Sequence, residues 1–191
     1  MSRDTIGDVY DALVLAGGGG RRMGGADKPA LTVGGVTLLD RVLAACPGAA
    51  TTVVVGPARD TSRPVLWTRE QPAGSGPVAA VAAGLELVTA SHVLLLAGDL
   101  PFLTADVAGR LLAAVDRAGA LLVDEDGRDQ YLCSAWRTSS LRAADFTRDR
   151  LSLLLGPLGP RRVALPVVPG TPPPWTDCDT AADLDRARST A

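Results

Sequence analysis

Short apolar runs alternate along this chain with longer stretches whose apolar side chains recur at helical spacing. Val9 to Ala16, Thr51 to Val55, Val65 to Thr68, Val93 to Ala97, Ala120 to Val123, Tyr131 to Trp136 and Val163 to Val167 read as strands. Between them, Thr37 to Ala45, Pro77 to Val88, Thr104 to Ala118, Ser139 to Thr147 and Thr180 to Arg188 read as helices. This alternation predicts an α/β fold, a mostly parallel sheet with helices on both faces. Ser75-Gly76-Pro77 places a cap candidate ahead of a proline at the first helical position. Thr180-Ala181-Ala182-Asp183 has the form of a capping box with aspartate in the glutamate place. In a doubly wound sheet ligands bind beyond the carboxyl ends of the strands. The loops after Ala16, after Ala97 and before Thr180 are therefore where a site is to be sought.

Bulk properties narrow the partners. At 191 residues with 47% hydrophobic content the chain is expected to form one domain from residue 9 to 191, with a flexible stretch over residues 1 to 8. Nineteen basic against 21 acidic side chains leave a net charge of −2, which gives no electrostatic footprint for nucleic acid or an anionic membrane. Met1 to Tyr10 lacks a basic-then-apolar signal pattern and no apolar run is long enough to span a bilayer, so a cytoplasmic protein is expected. Cys46, Cys133 and Cys178 share no metal-ligand or redox spacing and read as structural thiols. The single histidine, His92, stands at the start of an apolar run, which leaves a Ser-His-Asp or Cys-His mechanism with little support.

The segment richest in chemistry follows the first strand: Leu15, Ala16, Gly17, Gly18, Gly19, Gly20, Arg21, Arg22, then Met23 to Asp27 and Lys28. Six glycines within the nine positions from Gly17 to Gly25 leave backbone N–H groups open to an oligophosphate. Two arginines and a lysine add charge for the same phosphates. Neither GxxxxGK[ST] nor GxGxxG can be aligned here, so the loop is neither a P-loop nor a dinucleotide fingerprint. The plainer alternative is a surface turn with solvated charges. A strand before the loop and the Arg, Arg, Lys spacing after it favour the phosphate reading.

These residues, LAGGxxRRMGxxDK with every fixed position matched, resemble the signature of the MobA-like nucleotidyltransferases. Gly76-Pro77-Val78-Ala79-Ala80 is similar to that family's GPLAG segment, with Ala80 where glycine is usual. Leu94 to Phe102 is similar to its strand ending in a metal-binding aspartate, here Asp99. Trp175 to Leu184 resembles its NxNTPEDL stretch, with Asp177 and Asp179 at the two asparagine positions. A looser likeness places Gln130 and Arg137 on the strand facing the acceptor.

The resemblance implies a single-domain, Rossmann-like three-layer sandwich of the nucleotide-diphospho-sugar-transferase type, working with Mg2+. It implies transfer of GMP from GTP to the phosphate of a molybdopterin-type acceptor, with pyrophosphate leaving. Contact with other molybdenum-cofactor assembly proteins is a further implication. Arg22, Lys28 and Asp99 would carry the catalysis, the loop from Leu15 to Arg22 with Gly76 and Pro77 the nucleotide, and Gln130, Arg137 and Asp177 the acceptor. Magnesium prefers oxygen ligands, one or two of them carboxylates. Asp99 is the first choice and Asp179 the second, while helix capping remains open for each. Glu70 is the acidic side chain placed to accept from the N1 and N2 hydrogens of guanine. Cytidylyl transfer, another phosphorylated acceptor, and a non-catalytic nucleotide-binding partner stay open as alternatives.

Overall fold

The computed structural model describes residues 9–17, 28–166, 168–178 and 180–190. Its main sheet has seven strands: β1 (Tyr10–Leu15), β4 (Thr52–Val55), β5 (Leu66–Thr68), β6 (His92–Ala97), β7 (Gly119–Val123), β8 (Asp129–Arg137) and β9 (Arg161–Ala164), in the order β5-β4-β1-β6-β8-β7-β9. All neighbours pair in parallel except those of β8, which runs antiparallel to both β6 and β7. The reversal carries the start of β8 to the same edge of the sheet as the carboxyl ends of β1 and β6. A small antiparallel hairpin, β2 (Thr32–Val33) and β3 (Val36–Thr37), stands apart.

Strand alternation sorts the core into two layers. Ala12, Val14 and Ala16 face helices α1 (Leu38–Ala44) and α3 (Ala105–Ala114), packing on Leu39, Val42, Val107 and Leu111. Leu13 and Leu15 face α2 (Pro77–Leu85), α4 (Thr138–Arg142) and α5 (Leu151–Leu155), among Val81, Leu85, Leu141 and Leu155. Helix α2 lies very close to the sheet: a Cβ on Gly84 would overlap Leu13 Cδ1 and stand 2.8 Å from Val55 Cγ2, so any side chain there would have to displace those of β1 and β4. The last helix, α6 (Ala181–Thr190), joins Cys178, Leu184 and Ala187 to Val33 and Leu38 of the hairpin region.

The seven expected strands all form, and the mostly parallel sandwich is as expected. Several boundaries move: α2 ends at Leu85 rather than Val88, and β8 covers Asp129–Arg137 rather than Tyr131 to Trp136. Helix α3 ends at Ala114 because Val115 turns to ψ 116°, freeing the chain to start β7. Helix α4 stops at Arg142; the following residues form a turn in which Asp145 Oδ1 accepts from Thr147 N at 3.1 Å and from its hydroxyl at 2.6 Å. Strand β9 covers Arg161–Ala164 rather than Val163 to Val167. Helix α5 and the β2–β3 hairpin were not foreseen; Gly34 and Gly35 form the hairpin's turn with φ of 59° and 78°.

Candidate active site

A cleft of about 810 Å³ opens at the edge of the sheet where β1 and β6 end and β8 begins. Strand order fixes its layout. Glu70 follows β5 on one flank, Leu15 and Gly17 close β1, Asp99 follows β6 at the centre, and Gln130 opens β8 on the other flank. Lys28, Gly76, Pro77 and Asp177 complete the set of expected residues on its wall.

Each arrives there for a local reason. β6 is an apolar strand buried through Val93, Leu94, Leu95 and Leu96, and it delivers the half-buried Asp99 to the rim. Gly98 N donates to Leu15 O at 2.9 Å, locking the two strand ends together. A Cβ on Gly98 would stand 3.0 Å from the Ala16 methyl, so a side chain before the carboxylate would press the end of β1 outward. Similarly, a Cβ on Gly56 would meet Ala16 C at 2.7 Å, which holds the end of β4 against the start of the glycine loop. Arg59, stacked 5.8 Å over Trp67, donates from Nη1 to Ala16 O at 3.3 Å. Ala16 itself is buried behind the wall.

Glu70 is 8% exposed, and its Oε1 accepts from Gly74 N at 2.8 Å, closing the loop that leads to α2. The expected cap at Ser75 is not the one used. Gly76 is the N-cap, with φ 95° and no side-chain bond, while Ser75 Oγ donates to Pro72 O at 2.5 Å. Helix α2 therefore begins at the cleft with proline at its first turn and no side chain across its N–H groups. Ala80 lines the cleft as well, one turn further on.

Around Cys178 the charged residues converge. Burial first, then the carboxylates of Asp99, Asp183 and Asp177, push its thiol up to about 11, against a lowering by Lys28. Asp99, Asp177 and Lys28 thus share one neighbourhood although they are far apart in sequence. Burial pushes Cys133 up to about 12, and Cys46 likewise, so all three thiols stay protonated near neutral pH. Among the described residues no three His, Cys, Asp or Glu side chains cluster to cage a metal ion. Two neighbouring carboxylates on an open cleft suit a cation that takes its remaining oxygens from phosphate and water.

Arg137 does not reach this place. It pairs in register with His92 at the opposite end of β8, and its Nε donates to Asp116 O at 2.9 Å. A nine-residue antiparallel strand puts its first and last residues at opposite edges of the sheet, so only the Gln130 end faces the cleft. His92, at the start of β6, is equally remote from Asp99. Gly18, Gly19, Gly20, Arg21, Arg22 and Asp179 lie outside the described residues. Sequence reasoning passed over Tyr131 and Trp175, which also line the cleft. The available signal was their spacing, one residue after Gln130 and two before Asp177.

Residues 12–158 match the MobA-like NTP transferase domain. The chain belongs to that family. A molybdenum cofactor guanylyltransferase from Acidiphilium cryptum is 34% identical over 97% of this chain and 97% of its own length. A second, from Rhodobacter capsulatus, is 35% identical over 92% and 93%. Among solved structures, a molybdopterin-guanine dinucleotide biosynthesis protein A from Archaeoglobus fulgidus superposes with a TM-score of 0.68 at 22% identity, covering 94% and 97% of the two chains. A methylerythritol phosphate cytidylyltransferase from Thermus thermophilus gives 0.68 at 23% identity, covering 95% and 98%. This MobA-like chain is accordingly a nucleotidyltransferase. Its fold is shared with an enzyme named for a different base. No helix among the described residues is long and apolar enough to cross a membrane.

Proposed function

We propose that this chain transfers GMP from GTP to the phosphate of a molybdopterin-type acceptor and releases pyrophosphate. The observation that carries the reading is the order of residues across the cleft. Glu70 and the start of α2 stand on one flank, Gln130 on the other, and Asp99 lies between them. A nucleotide bound at the first flank and an acceptor at the second would meet over Asp99. The relatives' names supply the base and the acceptor.

The chain's own contribution is positioning and charge neutralisation. Loop N–H groups beginning at Gly17 hold the phosphates, and Lys28, with Arg22 from the same loop, neutralises charge on the leaving oxygens. One oxygen of Glu70 is held by Gly74, and the other accepts from the N1 and N2 hydrogens of guanine. An acceptor phosphate is already an anionic nucleophile, so the in-line attack on the α-phosphorus needs no side-chain base. Magnesium, held by Asp99 with Asp177 or Asp179 and completed by phosphate oxygens and water, would supply further charge for the same oxygens. A cytoplasmic setting, where GTP and reduced pterins are available, fits the reading, as does hand-over by contact with other cofactor-assembly proteins.

Incubating the protein with reduced molybdopterin, magnesium and each of the four nucleoside triphosphates, then weighing the product, tests this directly. A GMP adduct formed only with GTP is the expected product. A CMP adduct would replace the guanylyl assignment, and nucleotide binding without any adduct would remove the catalytic one.

A further inference from the structure

The transfer step described above leaves two aromatic residues of the cleft without a role. Tyr131 and Trp175 both line it, and they come to it from different layers of the sandwich. Trp175 packs on the core shared by α1 and α3, whereas Tyr131 packs on the core shared by α2, α4 and α5. Two rings anchored in opposite layers thus reach one cleft, Tyr131 from the start of β8, across the sheet from Glu70.

Tyr131 is also held in place. Its hydroxyl donates to Asp129 Oδ2 at 3.2 Å, and Asp129 Oδ1 accepts from Arg162 Nε at 2.7 Å. Arg162 is pinned in turn by donating from Nη2 to Gly127 O. The preceding turn is wired in the same way: Asp124 Oδ1 accepts from Asp126 N and Arg128 N at 3.0 and 2.8 Å, and Oδ2 accepts from Gln130 Nε2 at 3.0 Å. With its hydroxyl committed to a carboxylate, Tyr131 offers the cleft an aromatic surface rather than a hydrogen-bond donor. Burial, then the Asp129 hydrogen bond and charge, raise its phenol above the ordinary range, with Arg162 opposing, so the hydroxyl keeps its proton. Rigid aromatic walls suit a flat ring, because stacking needs a fixed partner and tolerates variation at the ring edge.

We propose that Tyr131 and Trp175 are the walls of an acceptor subsite for a flat, pterin-type heterocycle, with Asp129 and Arg162 acting as positioning residues for Tyr131. The proposal rests on the acceptor reading above, which supplies the pterin ring, and adds to it the side chains that hold that ring. A phosphorylated acceptor without a planar ring would not satisfy this subsite.

Calorimetry without nucleoside triphosphate, using neopterin monophosphate and ring-less ribose 5-phosphate as probes, tests the walls. The pterin phosphate should bind at least about tenfold more tightly than the sugar phosphate. Trp175→Ala and Tyr131→Ala should each weaken it about tenfold, Trp175→Phe, which keeps the ring, should retain most of the affinity, and Tyr131→Phe, which keeps the ring but loses the Asp129 tether, should fall between the wild type and Tyr131→Ala. GTP affinity should be unchanged in all four. Equal binding of the two probes, or pterin affinity indifferent to both alanine variants, would overturn the proposal. A parallel fall in GTP affinity would do the same by assigning the rings to the nucleobase. Adduct formation by the wild-type protein with molybdopterin and GTP is scored separately. If the adduct forms while pterin binding ignores the rings, the guanylyl reading stands and the aromatic subsite falls.

The positioning role has its own readout. In Asp129→Asn the ultraviolet titration of the Tyr131 phenol should move down toward the ordinary range. The KM for acceptor should rise several-fold, with kcat at saturating acceptor and the KM for GTP unchanged. Arg162→Ala should raise the acceptor KM and Arg162→Lys should restore it. A phenol titration and acceptor KM unmoved by Asp129→Asn would remove Asp129 from this role.

Discussion

Asp11 is fully buried in the middle of β1's start, and its carboxylate accepts from three backbone N–H groups: Thr51 at 2.9 Å, Thr89 at 2.7 Å and Ala90 at 2.9 Å. It ties the connections into β4 and β6 at the edge of the sheet opposite the cleft. Replacing it by alanine leaves buried donors unpaired, which should cost about 3 kcal/mol. The melting temperature should fall by roughly 10 °C in a calorimetric scan, with transfer activity retained at low temperature. Nothing in the pattern of apolar residues separates such an aspartate from Asp99; both border apolar runs, and only strand direction shows which edge each occupies. Arginines pose the same problem. Arg41 donates to Val33 O at 2.7 Å, Arg63 to Cys46 O at 3.0 Å, Arg142 to Val88 O at 2.7 Å and Arg188 to Thr32 O at 3.1 Å, all of them staples on backbone carbonyls. Arg137, expected at the acceptor, is another. Lys28 differs because it lines the cleft and lies near Asp99 and Asp177. Lys28→Ala should lower kcat by about a hundredfold or more at an unchanged melting temperature; a folded variant with wild-type turnover would take Lys28 out of the phosphate site.

Among the elements, the strands were legible because their apolar runs are continuous and flanked by turn residues, and the main helices because their spacing is regular. The segments that escaped are those whose shape is decided by neighbours. Helix α5 is five residues long and too short to show a period, and it exists because Leu154 and Leu155 fill the α2 layer. The β2–β3 hairpin is two residues per strand and is fixed by α6 packing on Val33. The cap of α6 was readable from sequence alone. Thr180 N and its hydroxyl donate to Asp183 Oδ2 at 2.8 and 2.7 Å, and Asp183 N donates back to Thr180 Oγ1 at 3.2 Å. The Thr180 hydroxyl first, against the opposing effect of burial, then the Thr180 N–H and Arg186, hold the Asp183 carboxyl below its ordinary value. A carboxyl with a lowered pKa stabilises the folded state above the ordinary value of 3.8 and loses that contribution as pH falls through the lowered one. Thr180→Ala should therefore cost about 1 kcal/mol at neutral pH, and the deficit should shrink on acidification below the ordinary aspartate range. Hydrogen exchange of residues 181–190 in the two proteins, followed as a function of pH, measures this. A deficit that does not depend on pH would mean that the cap acts without the Asp183 charge.

The whole molecule divides its labour across one edge of one sheet. A parallel run of β5, β4, β1 and β6 builds the flank proposed for the nucleotide, and the antiparallel strand β8 brings a second, independently supported flank to the same rim. Glu70 is tied to Gly74 on the first flank and Gln130 to Asp124 on the second, with no hydrogen bond among the described residues linking the two pairs. Substitutions should therefore separate by flank. Glu70→Ala should raise the KM for GTP and erode its preference over CTP by about tenfold, the scale set by one unmatched buried polar group, while leaving the acceptor KM unchanged. Gln130→Ala should raise the acceptor KM and leave the nucleotide KM alone. Asp99→Asn, at the junction, should depress kcat and raise the magnesium requirement with both KM values less affected, because in the proposed reading the charge it removes serves both substrates' phosphates. Double variants across the cleft, Glu70→Ala with Gln130→Ala, should be additive in log kcat/KM to within about 0.5 kcal/mol, as distant sites without shared partners are. Steady-state kinetics varying both substrates and magnesium measures all of these. A strong coupling between Glu70 and Gln130, or a magnesium dependence of Asp99→Asn that overlays wild type, would show that the flanks are not independent or that another carboxylate holds the metal, with Asp179 the next to substitute.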